Sequence, residues 1–128
     1  MLNSILAIAI GSILGGLARW FLSIKFNPFF IVPFGTLLSN LIAGYIIGLA
    51  VSCLSSFPQL SPEWRLFIIT GFCGGLSTFS TFSLEIVLFF QKGQIVIGMG
   101  TILLHVVGSI LMTALGILTY QYVKVLFN

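Results

Sequence analysis

Apolar residues run along this chain in four long stretches, each near the ~20 residues a helix needs to cross a hydrocarbon layer. Polar and loop-forming residues gather in the gaps between them: Lys25 to Pro28, Ser55 to Arg65 and Gln91 to Gln94. The pattern predicts transmembrane helices at about residues 2–24, 32–55, 63–90 and 95–123. Connections of about 4 to 11 residues leave no room for a soluble domain, a lid or a nucleotide site. The expected architecture is an all-α integral membrane protein, with residues 1–128 forming a single four-helix transmembrane domain whose chemistry lies within the membrane. The first stretch lacks a charged leading region and a small-residue cleavage site, and it carries Arg19, so it reads as a helix of the mature protein and not as a signal peptide.

Polar positions inside these spans are few, and the third span holds most of them. Gly74 and Gly75 lead into Ser77, Thr78, Phe79, Ser80, Thr81, Phe82, Ser83 and Glu85. Adjacent glycines lower helix propensity, so a break near Gly74-Gly75 is expected. Carbonyls freed there must face a cation, water or other protein. Beyond the break, Phe79, Phe82 and Glu85 at i, i+3 and i+6 predict one drifting row with Ser80 and Thr81 beside it. The positive edges of phenyl rings would attract an anion without the tight hold of a fixed cation, a property that suits conduction; packing among thirteen phenylalanines is the plainer alternative.

Asn40 stands well inside the second span, where its amide either donates two hydrogen bonds to an anion or clasps another helix for ~0.6 kcal/mol. Thr101, His105, Ser109 and Thr113 recur every fourth residue and so share one face of the fourth helix. His105 is either a proton carrier or a hydrogen-bonded structural histidine. Glu85 is the carboxylate inside a span, a position that defaults to function. Arg19 either snorkels to headgroups, bonds a helix end, or neutralises an anion. Trp20 and Trp64 fall where interfacial anchors belong. Gly11/Gly15, Gly44/Gly48 and Gly71/Gly75 pair small residues one turn apart for close helix packing.

With five basic and two acidic residues and a mean hydropathy of +1.22, the chain has no basic cluster for nucleic acid; its bases contact lipid headgroups at most. Cys53 and Cys73 fall in apolar helix and indicate neither a disulfide framework nor a metal site. Arg65 and Lys124 lie on one side of the membrane, Lys25 and Lys92 on the other, so the positive-inside bias is close to nil. A chain without orientation preference inserts both ways, which leads to the expectation of an antiparallel, dual-topology homodimer. Four helices packed on themselves also enclose no wide pore.

The motifs Gly15-Gly16-x-x-Arg19-Trp20, Gly35-Thr36-Leu37-x-x-Asn40 and Gly71-x-x-Gly74-Gly75-x-Ser77-Thr78-Phe79-Ser80-Thr81-Phe82-Ser83-x-Glu85 resemble the three signature segments of the Fluc (CrcB) fluoride channels. The third segment is highly specific and the other two support it. Ser77 stands where the family usually has threonine, Ser39 where it has valine, Trp20 where tyrosine is frequent, and His105 where a hydroxyl aromatic is more usual. The resemblance implies an antiparallel dimer with two fluoride pores and a structural sodium ion at the symmetry axis, held by backbone carbonyls that map to Gly74 and Ser77. It implies pores lined by Phe79 and Phe82, a donor at Asn40, and a polar track of Thr36, Glu85, Ser109 and Thr113. Ser80, Thr81, His105 and Arg19 complete the candidate fluoride pathway. The implied setting is a bacterial inner membrane. Fluoride enters cells as its neutral acid and ionises inside, so a passive pore lets the membrane potential drive it out and confers fluoride resistance. No enzyme activity and no organic cofactor are expected.

Two other classes fit the length and helix count. A proton-coupled exporter of the small multidrug-resistance kind shares the balanced charge and single membrane glutamate, but such exporters carry the glutamate in the first helix, and this chain has none there. A non-transporting scaffold would use the same polar residues only to clasp helices.

Overall fold

Each apolar stretch becomes a helix because a backbone in hydrocarbon must satisfy its own hydrogen bonds. In the computed structural model, which describes residues 1–127, four helical spans are long and apolar enough to cross a membrane. The first is the α-helix Leu2–Phe26, which runs into a short 3-10 turn, Asn27–Phe29, containing Pro28. The second, Phe34–Ser55, starts after Pro33, whose carbonyl accepts the Leu37 N–H at 3.2 Å. The fourth is the long helix Ile95–Leu126. It follows a tight turn in which Gly93 takes φ 73°, a left-handed conformation that glycine adopts without a steric penalty.

The third span, Pro62–Gln91, is two helices in series. Its first half runs through Pro62–Arg65, a wide π-helical stretch Leu66–Cys73, and a last α-turn Gly74–Leu76. The second half is Ser80–Gln91. The expected break is present, but it falls just after the glycine pair: Gly74 and Gly75 stay helical, and the chain leaves the helix at Ser77. The reason is packing. A Cβ on Gly75 would sit 2.6 Å from the Ser12 carbonyl, and one on Gly71 would sit 2.9 Å from the Ile8 carbonyl, so these glycines let the third span press against the first.

Gly11 and Gly15 answer them from the first helix, against Gly71, Phe72 and Leu76. Gly44 and Gly48 meet Ser109 and Thr113 of the fourth helix in the same way, and Gly116 meets Tyr45. Two close pairs result, first with third and second with fourth. The surface is inverted relative to a soluble protein: Ile13, Leu17, Leu103 and Ile110 are exposed, whereas Thr36, Ser39, Thr101 and His105 are buried. Phe82, Ile86 and Phe89 form the apolar part of the core against Ile97 and Ile102 of the fourth helix.

The glycine contacts are directly testable. Gly15→Ala places a methyl against the Phe72 carbonyl, while a Cβ on Gly16 meets nothing within 4 Å. Thermal unfolding in detergent is expected to show Gly15→Ala destabilised by about 1–3 kcal/mol, as overpacking costs, and Gly16→Ala near wild type. Equal melting temperatures for the two variants would refute the packing.

Candidate functional site

A helix break inside a bilayer exposes peptide groups that water cannot reach, and each must find a partner. Ser77 is extended, with φ −74° and ψ 153°. The Cys73 carbonyl accepts both its backbone N–H at 2.9 Å and its hydroxyl at 2.8 Å. The Gly75 carbonyl accepts Arg19 Nε–H at 3.0 Å. Of the roles open to Arg19, the helix-end bond is therefore the one the fold uses.

Thr78 is served by Asn40. Its N–H donates to Asn40 Oδ1 at 2.7 Å, and its carbonyl accepts from Asn40 Nδ2 at 3.1 Å. The side-chain amide thus pairs with both backbone groups of one residue, much as a peptide of an adjacent strand would. The Thr78 hydroxyl then starts the second half-helix: it accepts the Thr81 N–H at 3.2 Å and donates to the Thr81 hydroxyl at 3.1 Å.

A second polar chain lies one turn away on the same face of the second helix. Asn27 accepts the Thr36 N–H at 3.1 Å and donates to the Thr36 hydroxyl at 3.4 Å; that hydroxyl donates to Glu85 Oε1 at 2.6 Å. Thr36 and Asn40 therefore tether Glu85 and His105 respectively, since Asn40 Nδ2 also lies 2.9 Å from His105 Nδ1. The other atom of each pair, Glu85 Oε2 and His105 Nε2, is buried without a hydrogen-bond partner among the described residues.

The aromatic residues divide. Phe79 precedes the second half-helix and is 77% exposed, whereas Phe82 is 6% exposed and packs on His105 with centroids 4.5 Å apart and planes at 34°. Their own rings lie 5.5 Å apart at 58°. The expected single row is therefore a step from the surface inward, because the break turns Phe79 out of the helix.

These groups surround an open cleft of about 420 Å3. Asn40, Gly74, Ser77, Phe79, Phe82, His105 and Ser109 line it, together with Thr78, Cys73 and apolar neighbours. Thr36 and Glu85, bonded to each other, lie outside its lining. Thr113 donates to the Ser109 carbonyl at 2.9 Å and Thr101 to the Ile97 carbonyl at 2.8 Å, so both hydroxyls are spent on their own helix. Arg19 lies outside the cleft lining, and Ser80 is exposed at the start of the second half-helix. Sequence reasoning did not single out Asn27, whose only signal is its place before Pro28, or the backbone of Thr78 as the partner of Asn40.

Comparison with known proteins gives one family. The family model described as CrcB-like protein, Camphor Resistance (CrcB), matches residues 6–117. A fluoride-specific ion channel FluC of Pseudomonas putida (strain W619) is 57% identical over 125 residues, covering 97% of this chain and 98% of that one. A protein of the same name from Pseudomonas syringae pv. maculicola is 56% identical over 124 residues, covering 96% and 98% respectively. The corresponding protein of Nitrosomonas europaea is 57% identical over 125 residues, with coverage of 97% and 98%.

The Thr36 link yields a stability prediction. Thr36→Val removes the donor to Glu85 and leaves both carboxylate oxygens unpaired, which is expected to cost about 1–3 kcal/mol. A double-mutant cycle with Glu85→Leu, read by thermal unfolding, should give a coupling energy of at least about 0.5 kcal/mol; additive losses would show that the two side chains do not interact.

Proposed function

This chain belongs to the CrcB family, and from that premise we propose that it conducts fluoride passively out of the cell, driven by the membrane potential. It is a multi-pass membrane protein and not an enzyme. The observation that carries the reading is the break in the third span, where Asn40, Phe79, Phe82, His105 and Ser109 meet around one cleft at membrane depth.

Fluoride holds its water tightly, so a pore must offer replacement donors while binding weakly enough to release the ion. Here the replacements are the Asn40 amide, hydroxyls of Ser80, Thr81 and Ser109, and the positive edges of Phe79 and Phe82. Thr36 of the second helix and Glu85 of the third span, joined by a hydrogen bond, continue the polar track. The two N–H bonds of Asn40 are engaged by Thr78 and His105, so an arriving anion competes for a donor already aimed into the cleft. Arg19 acts from the helix end, where its charge offsets the carbonyl dipole at Gly75.

The functional unit in this proposal is an inverted homodimer in a bacterial inner membrane. Gly74, Ser77, Phe79 and Ser80 are exposed on a face with peptide and hydroxyl groups that lipid would not solvate. A second copy covers that face, and an antiparallel two-fold axis agrees with the balanced loop charge. Each copy would then contribute one cleft and one aromatic step, giving two pores. Among the described residues, the Gly74 and Ser77 carbonyls accept none of the hydrogen bonds made around the break. Hard, uncharged oxygens of this kind suit a sodium ion, and in the dimer Gly74 and Ser77 of both copies would hold it, a structural charge at the interface.

Two measurements test the reading. Liposomes holding the purified protein, with valinomycin and a potassium gradient, should release fluoride and retain chloride; no fluoride release, or release that needs a proton gradient, overturns it. Lys92→Cys on a background lacking Cys53 and Cys73 should react with a membrane-impermeant maleimide in intact cells at about half its sites, as equal insertion in both orientations requires. Complete labelling, or none, excludes the inverted dimer.

A further inference from the structure

The hydrogen bonds around Asn40 determine where the proton of His105 sits. The Thr78 N–H lies 2.7 Å from Asn40 Oδ1, and the Thr78 carbonyl 3.1 Å from Asn40 Nδ2. Turning the amide over would set N–H against NH2 and oxygen against oxygen, so its orientation is fixed by the backbone of the break. Nδ2, a donor only, then faces His105 Nδ1 at 2.9 Å. That nitrogen must accept, and it therefore carries no hydrogen. A neutral ring with a bare Nδ1 has its hydrogen on Nε2.

Nε2 is the unsatisfied atom. His105 is 3% exposed, and its Nε2 has no hydrogen-bond partner among the described residues. Glu85 Oε2, likewise without a partner, is not bonded to it. The ring cannot readily turn away, because Phe82 lies against it at 4.5 Å and Asn40 holds its other edge. The same ring lines the cleft with Phe79 and Phe82. A buried N–H without an acceptor is costly to keep, and an anion accepting from it would remove that cost.

Resting on the fluoride reading above, we infer that His105 is a fixed hydrogen-bond donor to the anion, through Nε2–H, with Asn40 acting as the positioning residue that sets its tautomer. The clamp at the break and the donor in the cleft are then one device: the side chain that secures Thr78 also decides which face of the imidazole the anion meets. An ion reaching the buried step at Phe82 would find aromatic edge and imidazole N–H together.

His105 is the only histidine in the chain, so nitrogen NMR of protein labelled with 15N-histidine reads it without ambiguity. The wild-type protein should show a bare Nδ1 and a protonated Nε2 at neutral pH, and fluoride, titrated against equal chloride, should move the Nε2 resonance. A proton on Nδ1, a doubly protonated ring, or no response to fluoride overturns the inference. Flux gives a second reading. His105→Gln can place an amide nitrogen near the Nε2 position, and His105→Asn can keep an acceptor for Asn40 but loses the donor. His105→Gln should retain fluoride efflux within about threefold of wild type, while His105→Asn should lose at least about tenfold; the reverse order, or equal rates, contradicts it. Wild-type efflux measured alongside separates a failure of the fluoride reading from a failure of this one.

Discussion

The pairing of the Asn40 amide with both backbone groups of Thr78 is the contact on which the rest of the structure depends. A helix can be opened in hydrocarbon only if something else meets the freed peptide groups. Here one side chain from the second helix does so, reaching 38 residues along the chain, and Arg19 meets the Gly75 carbonyl from the first. Once the break is held, Phe79 turns outward, Phe82 turns inward, and the Thr78 hydroxyl begins a new helix at Ser80. The cleft exists because those three consequences occur together.

That arrangement needs helices close enough for short polar side chains to touch. Gly11, Gly15, Gly71 and Gly75 bring the first helix against the third span, and Gly44, Gly48 and Gly116 bring the second against the fourth. Without a hydrophobic drive between helices in lipid, this close approach supplies dispersion contacts. It also shortens the reach from Asn40 on the second helix to His105 on the fourth. Packing and chemistry thus use the same small residues.

Much of the fold was legible because hydrocarbon is an exacting solvent. Four apolar runs between short polar gaps gave four spans, with ends displaced by only a few residues. The helix break was legible as an event and placed to within two residues. The propensity of Gly74 and Gly75 pointed to a break there, while contact with Ser12 keeps Gly75 helical and moves the opening to Ser77. A helix clasp was one of two roles open to Asn40, but its partner was hidden: Asn40 bonds mainly to the Thr78 backbone, and backbone leaves no mark in a sequence. The fourth-helix stripe was visible as a shared face, yet spacing cannot tell a hydroxyl that meets a solute from one that, like Thr113, bonds four residues back.

In the proposed channel, conduction depends on the Asn40 clamp. Asn40→Asp keeps an acceptor for the Thr78 N–H but removes both donors, to the Thr78 carbonyl and to His105, and adds a fixed negative charge to the cleft. Fluoride efflux from liposomes, normalised to reconstituted protein of wild-type size on gel filtration, measures the consequence directly. The expected rate is at least about a hundredfold slower, the kinetic equivalent of the ~3 kcal/mol that lost buried hydrogen bonds cost. Efflux within about threefold of wild type would contradict it.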